Sequence, residues 1–106
     1  MAKAEIKSGI CGFSATVTAR AEGSKCLISI ESDCDAIQRL GDELTEVDTF
    51  QEITFRDQGP SALQLGAKNC YHTDCPVPVG IIKAVEVAAG LALPADAAIQ
   101  PSKADE

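Results

Sequence analysis

Phe13-Ser14-Ala15-Thr16-Val17-Thr18-Ala19-Arg20-Ala21-Glu22-Gly23-Ser24-Lys25-Cys26-Leu27-Ile28-Ser29-Ile30-Glu31-Ser32-Asp33-Cys34 is the stretch whose reading decides the fold. Phe13, Ala15, Val17, Ala19 and Ala21 alternate with Ser14, Thr16, Thr18 and Arg20, the period of a half-buried strand over 13–21. Glu22-Gly23-Ser24-Lys25 is a polar turn. Cys26, Ile28 and Ile30 then restart the alternation and predict a strand over 26–31. Two such strands on a short turn form an antiparallel hairpin. If Ala21 faces Cys26, paired residue numbers sum to 47, and Phe13 comes opposite Cys34. A slip of two residues would loosen this juxtaposition, and a slip of one would turn the whole apolar set outward.

Toward the N-terminus, Ala4, Ile6, Ser8 and Ile10 alternate with Lys3, Glu5 and Lys7, which predicts a strand over 3–10 and a reversal at Cys11-Gly12. The first third is then a three-stranded antiparallel meander with one apolar face. Cys11 lies one reversal away from Cys34. Neighbouring strands stand ~4.8 Å apart, so the two thiols are expected to reach a common ligand.

Toward the C-terminus, Ser32 or Asp33 is expected to cap a helix whose buried stripe is Ile37, Leu40, Leu44 and Val47. Residues 49–56, with Phe50, Ile53 and Phe55, read as an extended segment. Asp57-Gln58-Gly59-Pro60 breaks the chain, and Ser61 caps a short helix to about Lys68. After a loop over 69–75, a helix is predicted from Pro76 to about Ala89, with Thr73 or Asp74 as cap. It is apolar nearly all round, so it should be buried. Gly90 and Pro94 end it. Ala97–Gln100 is a candidate edge strand, and residues 101–106 read as a disordered polar tail. The expectation is one α+β domain over 1–100. It is a two-layer sandwich, an antiparallel three-stranded meander extended by one or two strands, with two to three helices on one face.

Composition narrows the function classes. Nine Lys and Arg against sixteen Asp and Glu give a net charge of -7. Nucleic acid and acidic membrane surfaces need a basic face, so both are excluded as expected partners. An acidic surface instead suits docking on a basic patch of a protein partner. Met1-Ala2-Lys3-Ala4-Glu5 lacks the apolar run of a signal peptide, and no stretch is apolar enough to span a bilayer. The chain reads as cytoplasmic. Its five cysteines are then expected as thiols, and their odd number leaves at least one unpaired in any case.

Those thiols are the main chemical signal. Cys34 and Cys75 are expected in the first turns of two helices, where free N–H groups and the positive dipole end favour thiolate. Cys11 beside Gly12 sits where backbone N–H groups can point at a ligand. Cys26, in phase with Ile28 and Ile30, belongs in the core. Cys70-x-His72-x2-Cys75 is a weak zinc-like spacing. His72, the only histidine, reads as a ligand, a base for a cysteine, or a plain loop residue. The acidic side chains read as caps and solvated faces, and no pair stands out for acid–base work. Nucleotide-binding and serine-hydrolase motifs are absent.

Ser8-Gly9-Ile10-Cys11-Gly12-Phe13, Ser32-Asp33-Cys34 and His72-Thr73-Asp74-Cys75-Pro76-Val77-Pro78, followed by Ile82-Lys83-Ala84 and Gly90-Leu91-Ala92-Leu93-Pro94, resemble a family of short uncharacterised proteins from anaerobic bacteria and archaea. The resemblance covers nearly all of residues 4–100. It implies no particular activity, but the habitat favours oxygen-sensitive metal or thiol chemistry. The residues matching its motifs are Cys11, Cys34 and Cys75; Cys26 and Cys70 fall outside them.

The leading expectation is a small cytosolic metal-binding protein. An iron–sulfur cluster or zinc would be held by Cys11, Cys34 and Cys75, with His72, Cys70, solvent or a partner in fourth place, in electron transfer or cluster delivery. The alternatives are a metal-free thiol protein, with Cys75 as nucleophile and Cys34 or Cys11 resolving, and an interaction module whose cysteines only pack.

Overall fold

In a computed structural model, described for residues 1–55 and 57–104, the expected meander forms and gains a fourth strand. Strands β1 (Ala2–Lys7), β2 (Ser14–Glu22), β3 (Lys25–Ser32) and β4 (Glu46–Asp48) lie in the order β1-β2-β3-β4, every neighbour antiparallel. Ala21 pairs with Cys26, and the sum of 47 runs without interruption to Ala15 and Ser32. Among the described residues there are four α-helices: α1 (Asp35–Glu43) between β3 and β4, then α2 (Thr49–Glu52), α3 (Ser61–Asn69) and α4 (Val77–Ala88).

The helices form one layer against the apolar face of the sheet. α4 lies over β1 and β2, α1 over β3, and α3 packs against both helices. Ala15, Val17, Ala19, Cys26 and Ile28 from the sheet meet Ile37 and Leu40 of α1 and Val77, Ile81, Ala84 and Val85 of α4 in one buried cluster. Branched aliphatics dominate, and close packing comes from glycine where helices touch their neighbours. A Cβ on Gly80 would overlap Ile6 of β1, and one on Gly66 would come 2.7 Å from Cγ of Pro78.

Several boundaries differ from expectation. β1 ends at Lys7, because Gly9 at φ 85° turns the chain into a 3-10 turn over Gly9–Cys11. Ile10 therefore leaves the sheet and is fully exposed. α1 ends at Glu43, so Val47 is buried from β4 instead of from the helix. The N-cap of α1 is Cys34 itself, instead of the expected Ser32 or Asp33. Residues 49–52 are helical where an extended segment was predicted, because the Asp48 carboxylate caps them by accepting from the Gln51 N–H at 3.1 Å. Arg56, the end of that segment, lies outside the described residues. The N-cap of α3 is Pro60, not Ser61. A remote carboxylate satisfies its first turn: fully buried Glu52 accepts from the N–H groups of Ser61 and Ala62, both at 2.8 Å. The N-cap of α4 is Pro76 instead of Thr73 or Asp74, and Val79 on its outer side is exposed. Ala97–Gln100 forms no strand. Asp105 and Glu106, the end of the expected tail, lie outside the described residues. No helix among the described residues is long and apolar enough to cross a membrane.

Candidate functional site: a cysteine-lined pocket

Three features of the chain converge at one end of the sheet: the β1–β2 reversal, the start of α1, and the loop joining α3 to α4. They enclose a pocket of about 140 Å³ lined by Cys11, Cys34, Cys70, His72 and Cys75 together with apolar Ile10, Phe13, Ala36 and Ile37.

Each cysteine is placed by local geometry. Cys11 ends the 3-10 turn and is exposed; Gly12 follows at φ 77°, its N–H donating to the Gly9 carbonyl at 2.9 Å. Cys34 is half-buried at the N-cap of α1, where its carbonyl accepts the Gln38 N–H at 3.0 Å. Its own N–H donates to Ser32 Oγ at 3.1 Å, and Ser32 Oγ in turn donates to the Ser14 carbonyl at 2.7 Å. The Ser14 N–H donates to Asp33 Oδ1 at 3.2 Å, so side chains continue the hairpin register where the backbone ladder stops. Cys70 ends α3, its N–H donating to the Gly66 carbonyl at 2.8 Å. Cys75 closes the loop by donating its N–H to the His72 carbonyl at 3.3 Å. It lies two residues ahead of α4, not in the first turn as expected.

Arg39 on α1 fastens this loop. Its guanidinium donates to the Tyr71 hydroxyl at 3.4 Å and to the Asn69 carbonyl at 3.5 Å, and it sits 5.3 Å from the centre of the Tyr71 ring. The Tyr71 hydroxyl, Asp35 and Cys34 hold the Arg39 pKa above its ordinary value.

Cys34, Cys70 and Cys75 all pack one side against the core. Burial first, then adjacent Cys75, then Cys34, push the Cys70 thiol up to about 11. Cys26 is elsewhere. It has no exposed surface, and burial raises its pKa. Its place in the core is as the alternation requires.

The expected site residues Cys11, Cys34, His72 and Cys75 therefore share one pocket, and Cys70 joins them. Among the described residues, no three Cys, His, Asp or Glu side chains stand close enough together to hold a single metal ion. The sequence places Cys70 only among the candidates for a fourth ligand, because it lies outside the resembling motifs. Its spacing from His72 and Cys75 is the signal that keeps it there. Arg39 and Tyr71 gave no signal, because they meet only through tertiary packing.

A family of unknown function matches residues 2–101. No curated protein and no solved structure matches the chain.

Proposed function

Since this chain belongs to the family of unknown function DUF6951, its pocket must speak for its chemistry, and we propose that it is a small cytosolic protein whose cysteines bind an iron–sulfur cluster. The observation that carries this reading is that four of the five cysteines, from three separate parts of the chain, line one pocket. Cys11, Cys34, Cys70 and Cys75 are the proposed ligands, and four thiolates are the usual complement of such a cluster. His72 stands at the same pocket as a replacement for one of them.

Zinc is the less favoured occupant. A single zinc ion needs its thiolates all at about 2.3 Å from one point, which draws them into close mutual contact. The cysteines here surround a space large enough for several waters, taking each at about 30 Å³. A cluster distributes its ligands over several irons and tolerates thiols set further apart. The lining includes apolar Ile10, Phe13 and Ile37, and the polarity around a cluster is one of the levers on its potential. Exposed Cys11 and the net charge of -7 suit electron exchange or cluster delivery to a basic-surfaced protein partner.

The test is anaerobic reconstitution with ferrous iron and sulfide, followed by iron and labile-sulfide analysis and visible absorption. Both elements should stay with the protein through desalting. Cys34→Ser, Cys70→Ser and Cys75→Ser should each lower retention severalfold, while Cys26→Ser should keep it. Retention unchanged in all three pocket variants, or no iron retained by the parent protein, overturns the reading. Stoichiometric zinc binding with no iron and sulfide retention would replace the cluster with a mononuclear site.

A further inference from the structure

We propose that, in the metal-free protein, Cys70 and Cys75 form a redox-active dithiol that reduces disulfides entering the pocket, Cys75 attacking and Cys70 resolving. This activity stands apart from the cluster reading, because it requires both thiols to be free of metal.

The pair is built for it in three respects. The two cysteines line one pocket, separated by a four-residue loop that the Cys75 N–H closes onto the His72 carbonyl. Arg39 fastens the same loop through Tyr71 and Asn69, so the pair is held against α1 instead of hanging free. Both sulfurs are half-buried and line the pocket, whose mouth carries exposed Ile10, Phe13 and Tyr71. The two are also unequal. Cys70 closes the C-terminal end of α3, where the negative end of the helix dipole disfavours a thiolate, whereas Cys75 lies two residues ahead of α4, toward its positive end. This leaves Cys75 to strike first.

The steps balance. The Cys75 thiolate attacks one sulfur of a substrate disulfide, forms a mixed disulfide and expels the other half as a thiolate. That leaving thiolate takes up the proton released by Cys75. Cys70 then passes its proton to the second leaving group as its sulfur attacks Cys75 Sγ. The protein ends with a Cys70–Cys75 disulfide, and the substrate ends as two thiols. Two electrons have passed from protein to substrate. A thiol reductant would return the protein to the dithiol. The recognised chemistry is a disulfide with apolar surroundings, and the acidic protein surface disfavours an anionic one.

The experiment uses protein purified without oxygen in the presence of a chelator, and two probes: glutathione disulfide and a disulfide-linked peptide pair with apolar flanking residues. The parent chain should release two equivalents of thiol, lose two hydrogens in mass, and yield a linked Cys70–Cys75 fragment on peptide mapping. Cys70→Ser should stop at one equivalent, with the mixed disulfide on Cys75. Cys75→Ser should release thiol at least tenfold more slowly at pH 7. Cys70→Ala and Cys75→Ala repeat the comparison if either serine variant fails to fold by circular dichroism. A faster reaction with the apolar peptide supports both the dithiol and the stated preference; a faster one with glutathione disulfide, which is anionic, supports the dithiol and overturns the preference for apolar surroundings. Linkage through Cys11 or Cys34, only intermolecular disulfides, or thiol release at the parent rate in both variants overturns it. Chelation keeps this result independent of whether iron and sulfide are retained in reconstitution.

Discussion

Cys26 on β3 and Cys70 at the end of α3 are both thiols whose pKa burial raises, yet their surroundings are opposite. Cys26 has no exposed surface and sits among Ala, Val, Ile and Leu side chains of the core, paired across the sheet with Val47. Cys70 turns one side to the same core and the other to a pocket that Cys34 and Cys75 also line. Burial alone makes a cysteine a small hydrophobic residue. Burial on one side, with other thiols on the other, makes it part of a place where a ligand or a sulfur–sulfur bond can form. The difference comes from position in the fold: mid-strand for one, element end for the other.

The largest expected effect that tests this contrast is reactivity. A maleimide should label Cys11, Cys34 and Cys75 in the folded protein within minutes. Cys26 can react only when the sheet opens, and an opening that costs even a modest part of an ordinary domain's stability slows labelling ~10³-fold or more. Mass mapping of a labelling time course reads it directly. Labelling of Cys26 at a rate near that of Cys75 would mean the two environments are not different in kind.

Next in size is the response to serine. At Cys26 the shorter, more polar hydroxyl would enter an apolar site, and about 1–3 kcal/mol of stability should be lost. At Cys70, beside the pocket, solvent can meet the hydroxyl, and Cys70→Ser should cost under ~0.5 kcal/mol. Urea unfolding of the two metal-free variants gives both values. Equal losses would place Cys70 in the core and remove it from the pocket.

How much of this contrast can be read from residue order differs by region. The hairpin register is legible, because alternation at Ala15, Val17 and Ala19 and at Cys26 and Ile28 has one period and one plausible turn. The end of β1 is not, because Ser8 and Ile10 continue the alternation and only the turn at Gly9 breaks it. Val47 is ambiguous for a different reason. It lies three residues after Leu44, which fits a helical stripe as well as a three-residue strand. The choice falls to strand pairing with Cys26 and to the Asp48 cap. At the site, Cys11, Cys34 and Cys75 announce themselves by sitting where elements begin or reverse. Cys70 depends on how α3 approaches α4, and that depends on glycines whose role appears only once the helices are packed.

Those glycines allow the two regions to be disturbed separately. Gly80→Ala pushes α4 from β1 at Ile6, on the core side. Gly66→Ala pushes α3 from the Pro78 ring, and the added methyl would stand 3.9 Å from Cys70 Sγ. Overpacking of this kind costs ~1–3 kcal/mol, and the gain of up to ~1 kcal/mol in helix propensity offsets part of it. A net loss of about 1–2 kcal/mol is expected for each in thermal or urea unfolding. The labelling pattern should distinguish them. Gly80→Ala should speed Cys26 and leave the ratio of Cys70 to Cys75 as in the parent, whereas Gly66→Ala should change that ratio. If both variants alter the ratio alike, pocket and core move as one unit.

The smallest expected effect is alkaline. The folded protein holds the Cys70 pKa near 11, above its ordinary value of 9.0, because burial and the neighbouring thiols disfavour the thiolate. The unfolded chain therefore releases this proton at lower pH than the folded one. The contribution from Cys70 is fully present below pH 9 and is lost as pH rises toward 11. Solvent reaches the pocket and screens the effect, so the loss should stay under about 1 kcal/mol. Cys26 shifts in the same direction, so the comparison needs both variants. The measurement is the urea midpoint of parent, Cys70→Ala and Cys26→Ala proteins, kept reduced, at several pH values from 8 to 11. Cys70→Ala should remove part of the alkaline slope, and Cys26→Ala should remove a separate part. The Cys70 part should shrink when Cys75→Ala is added, because it depends on a neighbouring thiol, whereas the Cys26 part should not. A Cys70 slope indifferent to Cys75 would reduce its shift to plain burial and make the two cysteines the same case after all.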